Sequence, residues 1–303
     1  MRKVFYLPLF VILLISVFQT TAFAQTASVD TIGDLKSEKK ASFKIGVNYL
    51  SNSVYLGRAD TVTTSVIEPS LKYTFKSGIY FSGNMQFIPN RATNKLDGGS
   101  VGAGYDYDIS DNCSGSISFT KMFYNATSTQ IGSAIGSTIN ANIDYDIAEI
   151  ITPSLSVDYD ILKQGFGSDV LVNFGIAHDF AKLGIFGDDD LGIISPTATV
   201  NAGTQNFYDA YLTLKKYKLT KKGQAREAAA QKLLNGQEAK LARFNLLDYE
   251  FSAPVEYKTG KFIFSFTPTY AFAENKLPPR ITRGLVDING GIFFFEVGAS
   301  VKF

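Results

Sequence analysis

The chain has 303 residues, 45% of them hydrophobic and 14% aromatic, with 25 Phe and 16 Tyr but no Trp. Its 29 basic and 28 acidic residues leave a formal charge of +1. Global charge therefore names no polyanionic partner, and nucleic-acid binding is not expected. Cys113 is the only cysteine, which excludes an internal disulfide framework.

Residues 1–24 have the layout of an export signal. Arg2 and Lys3 form a charged start, residues 5–18 are apolar, and Ala22-Phe23-Ala24 is a small-x-small cleavage site before Gln25. The apolar stretch is too short to span a membrane as a helix. Removing the signal takes away two basic residues and leaves 27 against 28 acidic ones. No long apolar run follows, which excludes a helical membrane protein. Residues 25–40 are polar and without period, and read as a short leader on the periplasmic side.

From residue 41 the pattern changes to strict alternation. Ile139, Ala141, Ile143, Tyr145 and Ile147 alternate with Asn140, Asn142, Asp144 and Asp146. Near the end, Phe293, Phe295, Val297, Ala299, Val301 and Phe303 alternate with Phe294, Glu296, Gly298, Ser300 and Lys302. A strand repeats its side-chain direction every two residues, so each segment has one apolar and one mostly polar face. The same pattern places strands at 41–50, 63–75, 78–88, 99–109, 113–123, 136–147, 153–161, 169–180, 192–202, 246–257, 261–272 and 290–303. An even count puts both chain ends on one side of a barrel.

A soluble β-sandwich has the same period. The connections decide between them. Those at 51–62, 89–98, 124–135, 203–245 and 273–289 are long, and those at 76–77, 110–112, 148–152 and 258–260 are short. Only 162–168 and 181–191 break the rule. Long extracellular loops alternating with tight periplasmic turns mark an all-β, transmembrane, antiparallel up-and-down barrel of twelve strands over 41–303. Pro69, Pro196, Pro254 and Pro268 fall inside these strands. A closed barrel has no edge to hold a proline, so they are expected at bulges or strand ends. Counting 206–218 as a thirteenth strand would separate the termini, so it is read as an extension above the membrane.

The loop 203–245 is unlike the rest. Residues 221–243 are rich in helix formers, with Asn235-Gly236 as a break. The loop carries nine basic residues against three acidic ones, a charge of +6. Such a run suits contact with the phosphates of outer-membrane lipid and lipopolysaccharide or with an anionic ligand, a lid over an acidic interior, or a merely solvated loop.

With the apolar face outward, the interior is acidic. Glu68, Asp106, Asp144, Asp158, Asp160, Glu250, Glu256 and Glu296 stand as candidate pore-lining residues, with Lys72 among the few bases. Packed carboxylates of one sign call for water or counter-ions, and rings of carboxylates favour cations. The expectation is a water-filled, cation-preferring passage for small hydrophilic solutes. The second reading is a closed barrel serving adhesion or envelope structure through the basic loop.

Chemistry is not expected. His178 is the only histidine, it shares parity with Phe174 and Ile176, and no serine motif accompanies it. Asp188-Asp189-Asp190 matches no calcium loop and reads as a turn. No cofactor or metal is called for.

Taken together, the signal, the alternating segments, the loop lengths and terminal Phe303 resemble the outer-membrane β-barrel, porin-like superfamily of Gram-negative bacteria. The aromatic richness and Gln25 after the cleavage site are similar to Bacteroidetes-type proteins. A local similarity to porin-like chains runs through Ser51-Asn52-Ser53-Val54-Tyr55-Leu56-Gly57-Arg58, then Pro69, Tyr73 and Ser77-Gly78-Ile79-Tyr80, although here Gly precedes Arg. The resemblance implies recognition of Phe303 by the barrel-assembly machinery. It transfers no substrate.

Overall fold

The computed structural model describes residues 40–126, 128–148, 150–163, 167–216, 241–276, 286–287 and 290–303. The expected export signal, nearly all of the expected leader, and the basic run over 217–240 lie outside the described residues.

The strands, in chain order, are β1 Ser42–Leu50, β2 Val54–Tyr55, β3 Arg58–Asp60, β4 Val66–Thr74, β5 Ile79–Phe87, β6 Leu96–Ser110, β7 Cys113–Tyr124, β8 Ile135–Tyr145, β9 Thr152–Leu162, β10 Ser168–Ala177, β11 Phe180–Leu183, β12 Asp190–Ile194, β13 Thr197–Gly203, β14 Asn245–Ser252, β15 Val255–Thr259, β16 Phe262–Ala273, β17 Val286–Asp287 and β18 Gly291–Lys302. Helix α1, Asn206–Lys216, follows β13, and a single 3₁₀ turn, Ile131–Ala134, precedes β8. Twelve of the strands form one closed antiparallel ring, in the order β1, β4, β5, β6, β7, β8, β9, β10, β13, β14, β16 and β18. The ring shuts where β18 pairs with β1, from Lys44 opposite Lys302 to Leu50 opposite Glu296. The terminal residue joins the seam: Phe43 N donates to Phe303 O at 3.0 Å, and Phe303 N to Phe43 O at 2.9 Å. Both ends of the barrel chain thus lie together.

The alternation sorts the faces. Val47, Phe81, Val101, Phe119, Ile139, Phe174 and Phe264 point outward and are exposed. Large exposed apolar side chains around a whole barrel are stable only against an apolar medium. The opposite parity turns Thr120, Asn140, Asp158, Asn173, Asn201 and Thr267 inward, where they are buried.

Two features depart from simple alternation. The first is a fold line near the turn end of four neighbouring strands. It runs through His178-Asp179 between β10 and β11, Ser195-Pro196 between β12 and β13, Ala253-Pro254 between β14 and β15, and Thr267-Pro268 within β16. Across it, His178 N donates to Pro196 O, Ser195 N to Pro254 O and Ala253 N to Pro268 O. In an antiparallel strand a residue's N–H and C=O point the same way, so the N–H that Pro268 lacks would face the break at Pro254. Pro196 and Pro254 sit at strand ends, while Pro69 and Pro268 remain inside strands, where the pairing of β4 with β5 skips Pro69. Beyond the line, β11, β12 and β15 continue the sheet as a flap. The connection at 181–191, too long for a periplasmic turn, is therefore mostly a hairpin.

The second feature is a set of bulges near the loop end. Asp97 is the extra residue where β6 pairs with β5, Gly136 where β8 pairs with β9, and Leu247 where β14 pairs with β13. A bulge re-aims side chains and frees backbone groups. Here it turns Asp97 inward to full burial and sets both Leu247 and Asp248 inside.

The stretch 206–218, read from the sequence as an extension above the membrane, is not a thirteenth strand of the ring. It is helical over Asn206–Lys216 and folds onto the barrel mouth. Phe207, Tyr208, Ala210 and Tyr211 form one apolar stripe at helical spacing. They pack with Tyr55, Leu56, Met122, Ile131, Ala134, Leu162, Leu171 and Leu247.

Candidate functional site: an acidic interior beneath a packed mouth

The first loop carries the feature that closes the mouth. β2 and β3 form a hairpin whose two-residue turn, Leu56-Gly57, has positive φ at both positions, 49° and 67°. That is the turn whose twist matches a hairpin. Gly57 is required twice over, because a Cβ there would lie 2.8 Å from Ala273 N. The turn aims Tyr55 and Arg58 into the barrel, and β17 pairs with β3 on its other side.

Arg58 is fully buried. Its Nη1 donates to Leu56 O and, at 3.3 Å, to Leu247 O. Its Nη2 donates to Gln205 Oε1 at 3.0 Å and to Glu274 O at 2.5 Å. The guanidinium lies 5.5 Å from the centroid of the Tyr208 ring. Burial lowers its pKa, and Tyr208 and the Asp248 carboxylate oppose that. A buried cation of this kind needs such partners to be stable.

Tyr55 Oη donates to Asp160 Oδ2 at 3.0 Å, and its ring meets Phe207 edge-on at 4.9 Å. Burial raises the phenol pKa well above 10, and Asp160, Asp169 and Asp158 push it the same way. Tyr211 Oη donates to Asp60 Oδ2 at 2.5 Å. Asp169, on β10, caps α1: Asn206 N donates to its Oδ1 and Phe207 N to its Oδ2, both at 2.7 Å. A carboxylate at a helix N-terminus satisfies free N–H groups and complements the helix dipole. Asp97 accepts from Arg91 Nη1 at 2.7 Å, Ser128 Oγ at 2.6 Å and Gln130 Nε2 at 2.8 Å. That ties the third loop to the wall.

Of the nine candidate residues, eight lie on ring strands and Glu256 on the flap strand β15, and they form separate groups. Asp158 and Asp160 sit in a ladder of neutral donors. Asp158 accepts from Asn140 Nδ2 at 2.7 Å and Asn173 Nδ2 at 2.9 Å, and Asp160 from Thr138 Oγ1 at 2.5 Å. Asn142 Nδ2 donates to Asp144 Oδ2 at 3.0 Å. These carboxylates are relieved by amides and hydroxyls. Lys72 Nζ pairs with Asp106 Oδ2 at 3.2 Å and lies 4.0 Å from the Tyr80 ring centroid. Lys258 Nζ pairs with Glu256 Oε1 at 2.7 Å nearer the turns. Glu250 lies beside Asp248 on β14. Glu68 accepts from Gln86 Nε2 at 2.9 Å, and Glu296 stands across β1 from it.

Tyr55, Arg58, Asp97, Asp169 and Tyr211 were not among the sequence candidates. Asp97 lay in a segment read as loop. Tyr55 and Arg58 fell in the quoted porin-like stretch, which was the one signal pointing to them. His178 Nδ1 contacts Ile150 O, and its ring packs edge-on against Phe180 at 4.1 Å. Asp190 holds its own turn through the amides of Ile185, Phe186 and Gly187.

No protein-family model matches the sequence, and no curated protein matches it. Among solved structures, the chain is similar to the KdgM porin at 8% identity and a TM-score of 0.45, over 86% of this chain and 99% of that one. It is similar to the NanC porin at 12% identity and 0.42, over 86% and 100%. It is also similar to an outer-membrane channel from Pseudomonas putida F1, at 9% identity and 0.45, over 91% and 100%. The closed ring and its apolar outer face are the architecture of a transmembrane β-barrel.

Proposed function

We propose that the chain is a porin-like channel for small hydrophilic solutes, with a preference for cations. The observation that carries this reading is the polar, carboxylate-rich inner wall. The bases on it are largely committed, Lys72 to Asp106 and Lys258 to Glu256. A barrel with no passage to maintain would be more stable with an apolar filling, because buried carboxylates are costly. The packed hairpin and α1 at the mouth fit a narrow or gated passage rather than a wide one.

The same packing favours a second reading, a closed barrel with an adhesive or envelope-structural role through the basic loop. Single-channel current across a planar bilayer, under a potassium chloride gradient, separates the two. The channel reading expects small discrete steps with a cation-favouring reversal potential. A chloride-favouring potential overturns the cation preference. Silence both in the full chain and in a chain lacking residues 206–243 overturns the channel.

A further inference from the structure

Directly below the β2–β3 hairpin the interior holds a small cavity of about 20 Å³, room for one water or one bare ion. Its polar lining is Asn48, Ser53, Glu68, Gln86, Gln130 and Glu296, and no Lys, Arg or His lines it. Glu68 and Glu296 reach it from the two strands flanking β1, in register with Asn48 and Leu50. Glu68 accepts from Gln86 Nε2 at 2.9 Å and also has Asn84 as a donor. Glu296 is only 3% exposed and has no hydrogen-bond or ion-pair partner among the described residues.

The Gln130 amide is committed elsewhere. Gln130 Nε2 donates to Gln86 Oε1 at 3.0 Å and to Asp97 Oδ2 at 2.8 Å. Ser53 Oγ donates to Gln130 Oε1 at 3.2 Å, which leaves its lone pairs free. Asn48 Oδ1 lies over Gly298, where a Cβ would come within 2.6 Å of it. The cavity is therefore walled largely by oxygen acceptors, two of them carboxylates, and one of these, Glu296, has no donor among the described residues. Carboxylates and neutral oxygens converging on a small space are what a hard divalent cation requires.

We propose that this cavity is a site for a divalent cation of the calcium or magnesium class. Glu68 and Glu296 are its anionic ligands, and Asn48 Oδ1 and Ser53 Oγ contribute neutral oxygens. Ser53 belongs to the first loop, so the bound ion ties the base of the hairpin to β1, β4 and β18. The ion locks the mouth shut. The site stands whether or not the barrel conducts.

The test uses the full chain, refolded in detergent micelles, stripped with chelator and titrated with terbium(III). This calcium surrogate luminesces when a nearby tyrosine is excited. Tyr55 lines the cavity, and the chain has no Trp to compete. The expected result is saturable emission that calcium or magnesium chloride displaces. Affinity should fall about tenfold or more in Glu296→Gln and Glu68→Gln, and stay unchanged in Asp144→Asn, whose carboxylate lies elsewhere on the wall. Calcium should also raise the melting temperature of the wild type but not of Glu296→Gln, which keeps the shape of the side chain. Emission that does not saturate, or is equal in all four proteins, overturns the site. A wild type indifferent to calcium that Glu296→Gln stabilises also overturns it, because the two carboxylates then share a proton instead.

Discussion

Tyr55 and Asp160 are hydrogen-bonded across the full width of the barrel. Tyr55 follows β1, the first strand of the ring, and Asp160 lies on β9, the seventh of twelve. Six strands around a twelve-stranded ring is the opposite wall, so the 3.0 Å bond between Tyr Oη and Asp Oδ2 fixes the first loop inside the mouth. Replacing Tyr55 with Phe removes the donor and keeps the ring against Phe207. Asp160 then keeps Thr138 as donor. The expected loss is about 1–3 kcal/mol, the range for a bond to a charged group and the desolvation it leaves behind. Urea unfolding of the refolded protein in micelles measures it. An unchanged midpoint would mean that the bond is not made in solution.

Arg58→Met is expected to cost more. Methionine fills much of the same volume, but four carbonyl acceptors lose their donor and Asp248 loses the nearest cation. Breaking a buried pair by deleting one partner costs about 3–5 kcal/mol. Limited proteolysis reads the local effect, with faster cleavage within 51–65 than in the wild type while the barrel stays intact. Equal cleavage rates would show that the other contacts of the hairpin, the Tyr55–Asp160 bond and the β17 pairing among them, hold it without Arg58.

The contrast between wall and mouth explains what could be read from the sequence. All twelve ring strands follow from period-two alternation, because each strand meets apolar surroundings on one side and polar ones on the other. The ends of that pattern fail where the physics becomes non-local. Asp97 and Leu247 are bulge residues, and an extra residue reverses the parity on which inward and outward rest. Residues 206–216 carry aromatic residues at spacings that suit a strand or a helix, and burial of Phe207 and Tyr211 against the mouth decides for helix. Tyr55, Arg58 and Asp169 find partners 105, 189 and 37 residues away, distances at which no local pattern speaks.

Alkali should open the mouth. Burial holds the Tyr55 phenol well above its ordinary value, and Tyr211 outside the wall is raised by burial too. A tyrosine whose folded pKa is raised contributes stability that is complete below its unfolded value near 10 and is lost as pH climbs toward the folded value. The tyrosines' contribution should therefore be complete up to about pH 10 and be lost only above it. Tyrosinate absorbance near 295 nm, followed against pH, should show a late fraction that Tyr55→Phe reduces. Titration of every tyrosine near 10 would contradict the buried environment.

Asp169→Ala removes the cap of α1. Two backbone amides, Asn206 and Phe207, lose a carboxylate acceptor, and Thr204 Oγ1 loses a 2.6 Å partner. The expected cost is about 0.5–2 kcal/mol, concentrated in the helix. Hydrogen exchange at Asn206 and Phe207 should accelerate while amides in β16 and β18 keep their protection. Uniform acceleration would place Asp169 in the barrel's global stability rather than in the helix.

The outward face makes the most general prediction. Val101 sits on β6, 56% exposed, opposite Gly83 on β5 and Lys121 on β7. In water such a position tolerates arginine. In a bilayer the charge must snorkel or leave hydrocarbon, at about 2–4 kcal/mol near the midplane. Val101→Arg should therefore lower the folding free energy into lipid vesicles, by up to about 4 kcal/mol depending on its depth, while Val101→Ile leaves it within about 0.5 kcal/mol. The comparison isolates the medium, since both variants keep the backbone pairing and neither side chain enters the interior. A loss below about 0.5 kcal/mol for the arginine would mean that this stripe does not meet lipid.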